Sequence, residues 1–505
     1  MTEFQKAPAD ILERLTQLRA ADAPTHGGHV LSYVYDSGLA EIDELASAAM
    51  RLVQPVNGLD PTTFTSVAVM EREVIAFARE MLGGDESVVG SVTTGGTESC
   101  LLAVKSARDL WVAGGGEGMP RLLAPVSVHA AFQKAAHYFG LSLDLVPVSP
   151  TGQVEASALI NKLGSDVALV VVSAPSYPHA ALDPVADVAA AALAHGISCH
   201  VDACIGGWVL PFWPEHASGA PAGPWGFTVP GVTSVSADLH KFGYAPKGAS
   251  VLLQRGRDRQ RSQYFATTRW AGYPVVNSTM LGSKSAAPLA AAWAIVGALG
   301  ASGFAALAES CARSTKALTD VVASIEGLRV VGSPVGPLFA VAADESVDAA
   351  LRVDPHHWAD RARAHGFVLQ LQPGLTQSDG GYLPPTTHLT ITPVTESVLP
   401  ELTAALVAAA DEVRGVPTVR AESVFAALPP TIVAGLTDPA APALDADMAF
   451  AILGGIGLAP TGASDGGAGL PEQMAPLLAL IEALPAPLTE TLLTELLARL
   501  VEPRR

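Results

Sequence analysis

A lysine at the end of a predicted buried strand is the residue with the clearest chemistry in this chain. Lys241 lies in the segment 238–244, Asp-Leu-His-Lys-Phe-Gly-Tyr, which follows the apolar run 232–237. Most lysines after strands reach solvent, because a buried ammonium loses its hydration. A lysine beside a histidine, here His240, can instead form a Schiff base with a carbonyl group. The segment therefore indicates covalent amine–carbonyl chemistry.

Two upstream features could hold a flat, phosphorylated ligand. Gly96 and Thr97 open a predicted helix, where glycine lets the backbone approach a phosphate and unpaired N–H groups can bind it. The same residues could simply cap the helix. His129 closes a predicted strand, and its imidazole could lie flat on a planar ring or bond to the local backbone.

A fourth group, Asp202, lies on an otherwise apolar predicted strand. A buried carboxylate needs a cationic or hydrogen-bonding partner, and the ring nitrogen of pyridoxal 5′-phosphate (PLP) is one. Alone, Asp202 would more often be a metal ligand or a helix cap, but no matching metal set accompanies it. The order of phosphate turn, stacking histidine, ring-nitrogen aspartate and lysine predicts a PLP site and no metal.

The composition restricts the class of protein further. The chain has 505 residues with 30 basic and 49 acidic side chains, and this net charge of −19 argues against nucleic acid and anionic membrane surfaces. The four cysteines lack metal-type spacing, so we expect them to be reduced and buried in a cytoplasmic protein. We predict that the uncharged stretch 285–307 is a buried helix rather than a membrane span.

Helical and strand-like segments alternate between about residues 66 and 254, and these segments must position the candidate residues. Such alternation predicts a mainly parallel sheet covered by helices. Ligands of such sheets collect beyond the strand C-termini, so His129, Asp202 and Lys241 should converge. The predicted strands cover 121–128, 143–148, 167–173, 198–204, 232–237 and 249–254. The predicted helices cover 67–82, 97–112, 130–139 and 183–195, the last capped by Asp183.

The second half of the chain predicts a smaller α+β domain followed by a helical tail. Its predicted strands cover 328–331, 338–342, 367–372 and 388–392, and its predicted helices cover 285–323, 354–364 and 396–413. The tail is rich in Pro, Ala and Gly and ends in an amphipathic helix near 488–500.

Five segments together resemble the sphingosine-1-phosphate lyase branch of the PLP-dependent group II decarboxylase family. They are residues 92–99 (Val-Thr-Thr-Gly-Gly-Thr-Glu-Ser), 128–140 (Val-His-Ala-Ala-Phe-Gln-Lys-Ala-Ala-His-Tyr-Phe-Gly), 174–179 (Ala-Pro-Ser-Tyr-Pro-His), 200–207 (His-Val-Asp-Ala-Cys-Ile-Gly-Gly) and 236–248 (Ser-Ala-Asp-Leu-His-Lys-Phe-Gly-Tyr-Ala-Pro-Lys-Gly). The resemblance implies a fold-type I (aspartate aminotransferase-like) large domain with a mainly parallel seven-stranded sheet, plus a smaller α+β C-terminal domain. It also implies a homodimer with shared active sites.

On this basis we divide the chain into four parts. They are an N-terminal segment (1–60) that contributes to the active site and the dimer, a PLP-binding large domain (61–310), a small α+β domain (311–414) and a C-terminal helical extension (415–505).

The resemblance also implies roles for individual residues. Lys241 carries the cofactor, Asp202 binds its ring nitrogen and His129 stacks on its ring. The cofactor phosphate is bound by Gly96, Thr97 and His240, with Ser283 added from the neighbouring chain. The resemblance also implies that Tyr35 and Lys247 lie beside the substrate.

The substrate side departs from the family pattern. Lyases of this branch usually carry Asn-Pro-Leu-His, whereas this chain has Asn57 and Asp60 at the ends of Asn-Gly-Leu-Asp. A carboxylate repels a phosphate dianion, so Asp60 makes a phosphorylated substrate doubtful.

The reaction stays open between several alternatives. The first is carbon–carbon cleavage of an amino alcohol, which releases an aldehyde and needs a base near the substrate hydroxyl, with Lys247, His240 and Tyr244 as candidates. The second is α-decarboxylation of an amino acid, and the third is transamination. A non-catalytic protein with the same fold is the fourth, although such proteins are expected to lose the Schiff-base lysine.

Overall fold

A seven-stranded sheet forms the centre of the larger part of the molecule. The computed structural model describes residues 5–426, 446–455 and 473–503. The strands are β1 (Val88–Thr93), β2 (Arg121–Pro125), β3 (Ser142–Val146), β4 (Val167–Ser173), β5 (Ser198–Asp202), β6 (Ser234–Ala237) and β7 (Ser250–Arg255). Their spatial order is β1-β7-β6-β5-β4-β2-β3, and only β7 runs antiparallel to its neighbours. The predicted mainly parallel sheet is therefore confirmed.

Helices cover both faces of this sheet. On β4, Leu169 and Val171 pack into one apolar cluster whereas Val170 and Val172 pack into another, so alternate side chains serve opposite faces. Such two-sided burial explains why β4 reads as a continuous apolar run. The helices of this part are α1 (Pro8–Arg19), α2 (Ala40–Leu52), α3 (Thr65–Met81), α4 (Gly96–Ala113), α5 (Ala130–Phe139), α6 (Ala156–Ile160), α7 (Val185–Ala194) and α8 (Arg257–Gln263). The hairpin β8 (Phe265–Thr267) and β9 (Val275–Asn277) follows α8.

A smaller antiparallel sheet follows the long helix α9 (Ala287–Ser324), which is kinked at Gly300. Its strands are β10 (Leu328–Val330), β11 (Leu338–Ala343), β12 (Gln370–Gln372) and β15 (Thr386–Thr390), in the order β10-β11-β15-β12. A hairpin of β13 (Leu375–Thr376) and β14 (Tyr382–Leu383) lies between β12 and β15. The helices α10 (Pro355–Ala364) and α11 (Thr395–Val413) pack on this sheet. The fold class, including the smaller α+β part, is confirmed.

The described part of the C-terminal extension consists of short helices. They are α12 (Ala421–Ala426), α13 (Ala446–Gly455), α14 (Ala475–Ala483) and α15 (Ala486–Leu500). Ile452 on α13 packs with Leu492 and Leu496 on α15, whereas Leu478 on α14 is buried in the core of the smaller sheet. Residues 427–445, 456–472 and 504–505 of the predicted extension lie outside the described residues.

One described helix, α9, is long and apolar enough to cross a bilayer by length and composition alone. It nevertheless packs against α2, α3 and α11. Its side chains Leu289, Ile295, Phe304 and Leu318 are buried in the two apolar cores, as predicted for a buried helix.

Two details of the sheet differ from the predictions. Strand β1 was not predicted, because Gly90 interrupts its apolar pattern; a Cβ there would meet Leu253 of β7 at 2.4 Å. Asp183 does not cap α7, since its carboxylate accepts a hydrogen bond from the Ser173 backbone N–H at 2.7 Å. Burial raises the pKa of Asp183 to about 7.

Candidate active site

The predicted site residues converge at one edge of the large sheet. Strands β1, β2, β5 and β6 point the same way, so their C-terminal ends share that edge. Asp202 is the last residue of β5, Lys241 follows the end of β6, and Gly96 follows the end of β1. His129 follows the end of β2. The topology therefore brings together the four groups expected to bind a PLP ring and its phosphate.

Lys241 is half-buried and paired with a carboxylate of its own segment. Its Nζ lies 3.0 Å from Asp238 Oδ2, and the Asp238 side chain is only 1% exposed. Burial alone would lower the pKa of Lys241, but the attraction of Asp238 outweighs it and raises that pKa. Burial likewise opposes ionisation of Asp238, yet Lys241 and His240 hold its pKa below the usual value. Asp238 lies within the motif at 236–248, but no role was predicted for it.

Asp202 presents one carboxylate oxygen to the site and anchors the other. Its Oδ1 accepts a hydrogen bond from the Cys204 backbone N–H at 3.1 Å and one from Ser236 Oγ at 3.4 Å. Its Oδ2 makes no hydrogen bond with any residue that the structure describes. A fixed and mostly buried carboxylate with one open oxygen fits the ring nitrogen of PLP.

The start of α4 has the features of a phosphate site. His240 lies beside it, because a Cβ on Gly95 would approach His240 Cε1 at 3.2 Å. His240 Nδ1 is buried and has no hydrogen-bond partner among the described residues. Thr97 is exposed in the first turn, and Gly96 leaves no room for a side chain, since a Cβ would lie 2.4 Å from Asp238. An unpaired imidazole nitrogen at a helix N-terminus fits a phosphate group.

His129 makes the backbone bond of one of its two sequence interpretations, and stacking on a ring stays a prediction. Its Nδ1 accepts a hydrogen bond from the Ala131 backbone N–H at 3.2 Å, which caps α5. The residue is otherwise exposed. The cap fixes the imidazole in one orientation, as a group that stacks on a ring would require.

Lys247 and Tyr35 lie together beside the Lys241 segment. The Lys247 ammonium is 4.7 Å from the centre of the Tyr35 ring, and it donates a hydrogen bond to the His240 carbonyl at 3.2 Å. Burial, assisted by repulsion from Lys241, lowers the pKa of Lys247 to about 8. Burial raises the pKa of Tyr35 to about 12. The amine of Lys247, although exposed to solvent, therefore loses its proton more easily than an ordinary lysine, whereas Tyr35 keeps its own.

Tyr177 is a site residue to which the sequence assigned no role. Its ring stacks on His388 at 4.2 Å, and within the described ranges its buried hydroxyl has no hydrogen-bond partner. Burial raises its pKa, and the nearby charge of Lys241 partly opposes this. The motif at 174–179 was the available signal.

Tyr244, one of the predicted bases, points away from this site. Its ring stacks on Phe304 of α9 at 6.3 Å, and its hydroxyl is hydrogen-bonded to Cys311 of the same helix. Burial raises its pKa well above the usual value. We therefore remove Tyr244 from the candidate bases, because its proton is held within the apolar core.

Asn57 and Asp60, predicted on the substrate side, and Ser283, predicted to contact the cofactor phosphate, line a separate open cleft of about 1220 Å³. Asn57 Nδ2 donates to Ser283 Oγ at 3.2 Å. Asp60 accepts hydrogen bonds from Thr62 and Thr63, and these lower its pKa to about 2. The carboxylate of Asp60 is thus charged but bound within its own turn, which the sequence pattern did not reveal.

Two cysteines lie next to Asp202, although their sequence spacing gave no metal pattern. Ligand atoms of Cys100, Asp202 and Cys204 all lie within 4.8 Å of one another, and all three residues are buried. The Cys204 thiol contacts Ser236 Oγ at 3.3 Å. The hydrogen bond with Cys100 and burial raise the pKa of Cys204, so it stays protonated, whereas metals bind thiolates. All four cysteines are buried and free, as expected.

Comparisons with known proteins agree with this geometry. Residues 55–339 match the model of the pyridoxal-dependent decarboxylase conserved domain, and residues 423–499 match that of a C-terminal putative HTH domain of pyridoxal-dependent enzymes. The chain is 35% identical over 336 residues to the sphingosine-1-phosphate lyase of Dictyostelium discoideum, covering 66% of this chain and 63% of that one. It therefore spans less than two thirds of this relative.

Solved structures extend the likeness to the second domain. The sphingosine-1-phosphate lyase of Burkholderia pseudomallei superposes with a TM-score of 0.73 at 31% identity, over 87% of this chain and 98% of that one. The glutamate decarboxylase of Lactobacillus brevis superposes with a TM-score of 0.70 at 17% identity, over 83% and 95% of the two chains, which shows the shared fold. The chain belongs to the pyridoxal-dependent decarboxylase family, and its cofactor is pyridoxal 5′-phosphate.

Proposed function

We propose that this protein is a PLP-dependent carbon–carbon lyase of the sphingosine-1-phosphate lyase type. Its substrate would be a small-molecule amine, specifically an amino alcohol that is cleaved to an aldehyde and an amine. The observation that carries this proposal is the position of Lys247 beside the Lys241 segment, where its Nζ contacts the Tyr35 ring at 4.7 Å and the His240 carbonyl at 3.2 Å. A lysine amine held there can act as a base for a substrate hydroxyl, and its lowered pKa supports this role. Decarboxylation of an amino acid needs no such base, and is kept as an outcome of the test.

When bound, PLP withdraws electrons from the α-carbon of the substrate amine. The side chains of this chain then have separate tasks. Asp202 would hold the ring nitrogen, and the start of α4 with His240 would hold the phosphate. Lys241, which would carry the cofactor, is kept in place by Asp238 at 3.0 Å. Lys247 takes the proton from the substrate hydroxyl at its Nζ, which the Tyr35 ring and the His240 carbonyl hold in place.

Product analysis tests the reaction directly. The PLP-loaded protein would be incubated with sphingoid bases, phosphorylated and unphosphorylated, and with a panel of amino acids. We expect aldehyde release from an amino alcohol and no carbon dioxide from the amino acids. Carbon dioxide release without aldehyde would replace the proposal with a decarboxylase. A Lys247→Met variant should keep the cofactor absorbance of the parent protein while losing aldehyde release.

We further propose that the protein is a cytoplasmic homodimer with shared active sites. Ser283 belongs to a cleft that has no lining residue in common with the Lys241 group, which supports its acting on a neighbouring chain. The hairpin beside this cleft carries exposed apolar side chains, and such patches are typical of contact surfaces. They are Phe265, Trp270, Tyr273 and Val276. Light scattering of the purified protein measures the dimer.

A further inference from the structure

A second cavity, of about 330 Å³, opens between the large sheet and the smaller domain. One side is formed by residues near the candidate active site, because Ser127 lies two residues before His129 and Tyr177 is close to Lys241. The opposite side is mostly apolar and comes from the chain around the hairpin β13–β14. It includes Gln372, Pro373, Gly374, Leu375, Leu383 and Pro384. We call residues 373–384 the wall segment.

The wall segment is anchored to the large sheet by one side chain. Gln377 is buried, its Oε1 accepts a hydrogen bond from the Val148 backbone N–H at 2.8 Å, and its Nε2 donates to the Val148 carbonyl at 2.9 Å. This paired contact fixes the tip of the hairpin. The base of the hairpin needs a separate anchor, because β13 and β14 pair only with each other.

The C-terminal extension provides that second anchor. Glu482 on α14 accepts a hydrogen bond from the Gly374 backbone N–H at 3.1 Å through Oε2. Its Oε1 accepts a hydrogen bond from the Tyr382 hydroxyl. Burial and the carboxylate itself raise the pKa of Tyr382, so the hydroxyl keeps the proton that it donates. A Cβ on Gly374 would lie 2.3 Å from Tyr382 Oη and 2.7 Å from Glu482 Oε1, so a side chain there would displace both groups of this contact.

Helix α14 itself is held firmly on the smaller domain. The carboxylate of Asp360 on α10 accepts hydrogen bonds from the backbone N–H groups of Met474 at 2.9 Å and Ala475 at 3.0 Å, which caps the helix. Leu478 is buried in the core of the smaller domain. Glu482 thus acts from a fixed helix, and the position of the wall segment depends on the extension.

We propose that the C-terminal extension determines which substrates fit, because Glu482 holds the wall of a cavity that receives the apolar chain of the amine substrate. This rests on the proposed function, in which the amine end of the substrate lies at Lys241. Glu482 is a positioning residue, since it contacts the wall and not the substrate. The apolar lining at Leu375 and Leu383 fits a hydrocarbon chain.

The test compares Glu482→Ala with the matched control Glu490→Ala, an exposed glutamate on α15 of the same extension. Hydrogen exchange of the peptide 373–384 should become faster in Glu482→Ala and stay unchanged in the control. With straight-chain 2-amino alcohols of increasing length, kcat/KM should fall about tenfold for long chains and little for short ones. If Glu482 served stability alone, its loss would lower kcat/KM equally for substrates of all chain lengths.

Two further variants test the proposal even if Glu482→Ala fails to fold. Tyr382→Phe removes one of the two hydrogen bonds and should cause a smaller loss of long-chain preference, and Gly374→Ala should cause a larger one. The proposal would be overturned if hydrogen exchange in the wall segment stayed unchanged, or if kcat/KM fell equally for all chain lengths.

Failure of the proposed function gives a different result. If the parent protein releases no aldehyde, the binding of straight-chain amines is measured instead by the change in cofactor absorbance. Glu482→Ala should then weaken the binding of long amines about tenfold relative to that of short ones. Equal binding of long amines to both proteins would overturn this inference independently of the reaction.

Discussion

The two ends of the candidate site differ in how completely one chain builds them. Asp202 is buried and Lys241 half-buried, and their partners lie in the same chain within a few residues or on the adjacent strand. Around Asn57, Asp60 and Ser283 the side chains line an open cleft and bond mostly to each other or to their own turn. The end at Lys241, the cofactor end, is thus formed largely by one chain. The end at the cleft, where Ser283 is predicted to reach the cofactor phosphate of a neighbouring chain, depends on what covers it.

Removal of the lysine should give the largest effect at the cofactor end. We expect Lys241→Ala to lower turnover at least about a thousandfold, because no other described amine replaces its covalent role. The visible absorbance of the lysine-bound cofactor should also disappear. The matched control Lys316→Ala changes an exposed lysine on α9 and should keep both properties. A coloured and active Lys241→Ala protein would remove this lysine from the site.

Replacement of Lys247 tests whether this residue of the cofactor end acts as the base for the substrate hydroxyl. We expect Lys247→Met to lower kcat about a hundredfold, as is typical for loss of a general base. In the parent protein kcat/KM should rise with pH through about 8, because burial lowers the pKa of Lys247 to that value and only the neutral amine accepts a proton. Lys247→Arg keeps the charge but should lose this rise. A pH profile shared by parent and variant would contradict the role.

A mixing experiment tests whether the two ends come from different chains. Lys241→Ala and Ser283→Glu should each be inactive, the second because its carboxylate repels the cofactor phosphate. A dimer of one chain of each kind has one intact site if sites are shared. Unfolding and refolding the two variants together should therefore recover about a quarter of the parent activity. Absence of recovery, with dimers present by light scattering, would place both residues in one chain's site.

The charge of Asp60 should have the smallest effect. Its carboxylate is exposed to solvent and bound by Thr62 and Thr63, so we expect Asp60→Asn to change the preference for phosphorylated over unphosphorylated amino alcohols at most about threefold. Asparagine keeps the side-chain oxygen that accepts from the turn. A tenfold or larger gain for the phosphorylated substrate would show that Asp60 faces the phosphate in the assembled site.

Much of the fold was predictable because its signals are local. The buried runs that became β4 and β5 were found from their apolar residues, and the glycine turn marked the start of α4. Strand β1, which was not predicted, contains Gly90. The absence of a side chain there leaves room for Leu253 of β7, which lies far along the chain. Asp183 matched a helix cap by its position before a proline, but its partner is Ser173 on the preceding strand.

The sequence by itself predicted the cofactor, because polar residues at the ends of apolar strands meet at one edge of a parallel sheet. Only the tertiary structure decided which polar groups are free to react. Tyr244 lies three residues after Lys241 yet is bound to Cys311, and Asp60 is occupied by its own turn. Glu482 reaches Gly374 across more than a hundred residues. Such contacts depend on how elements pack, and no local pattern encodes them.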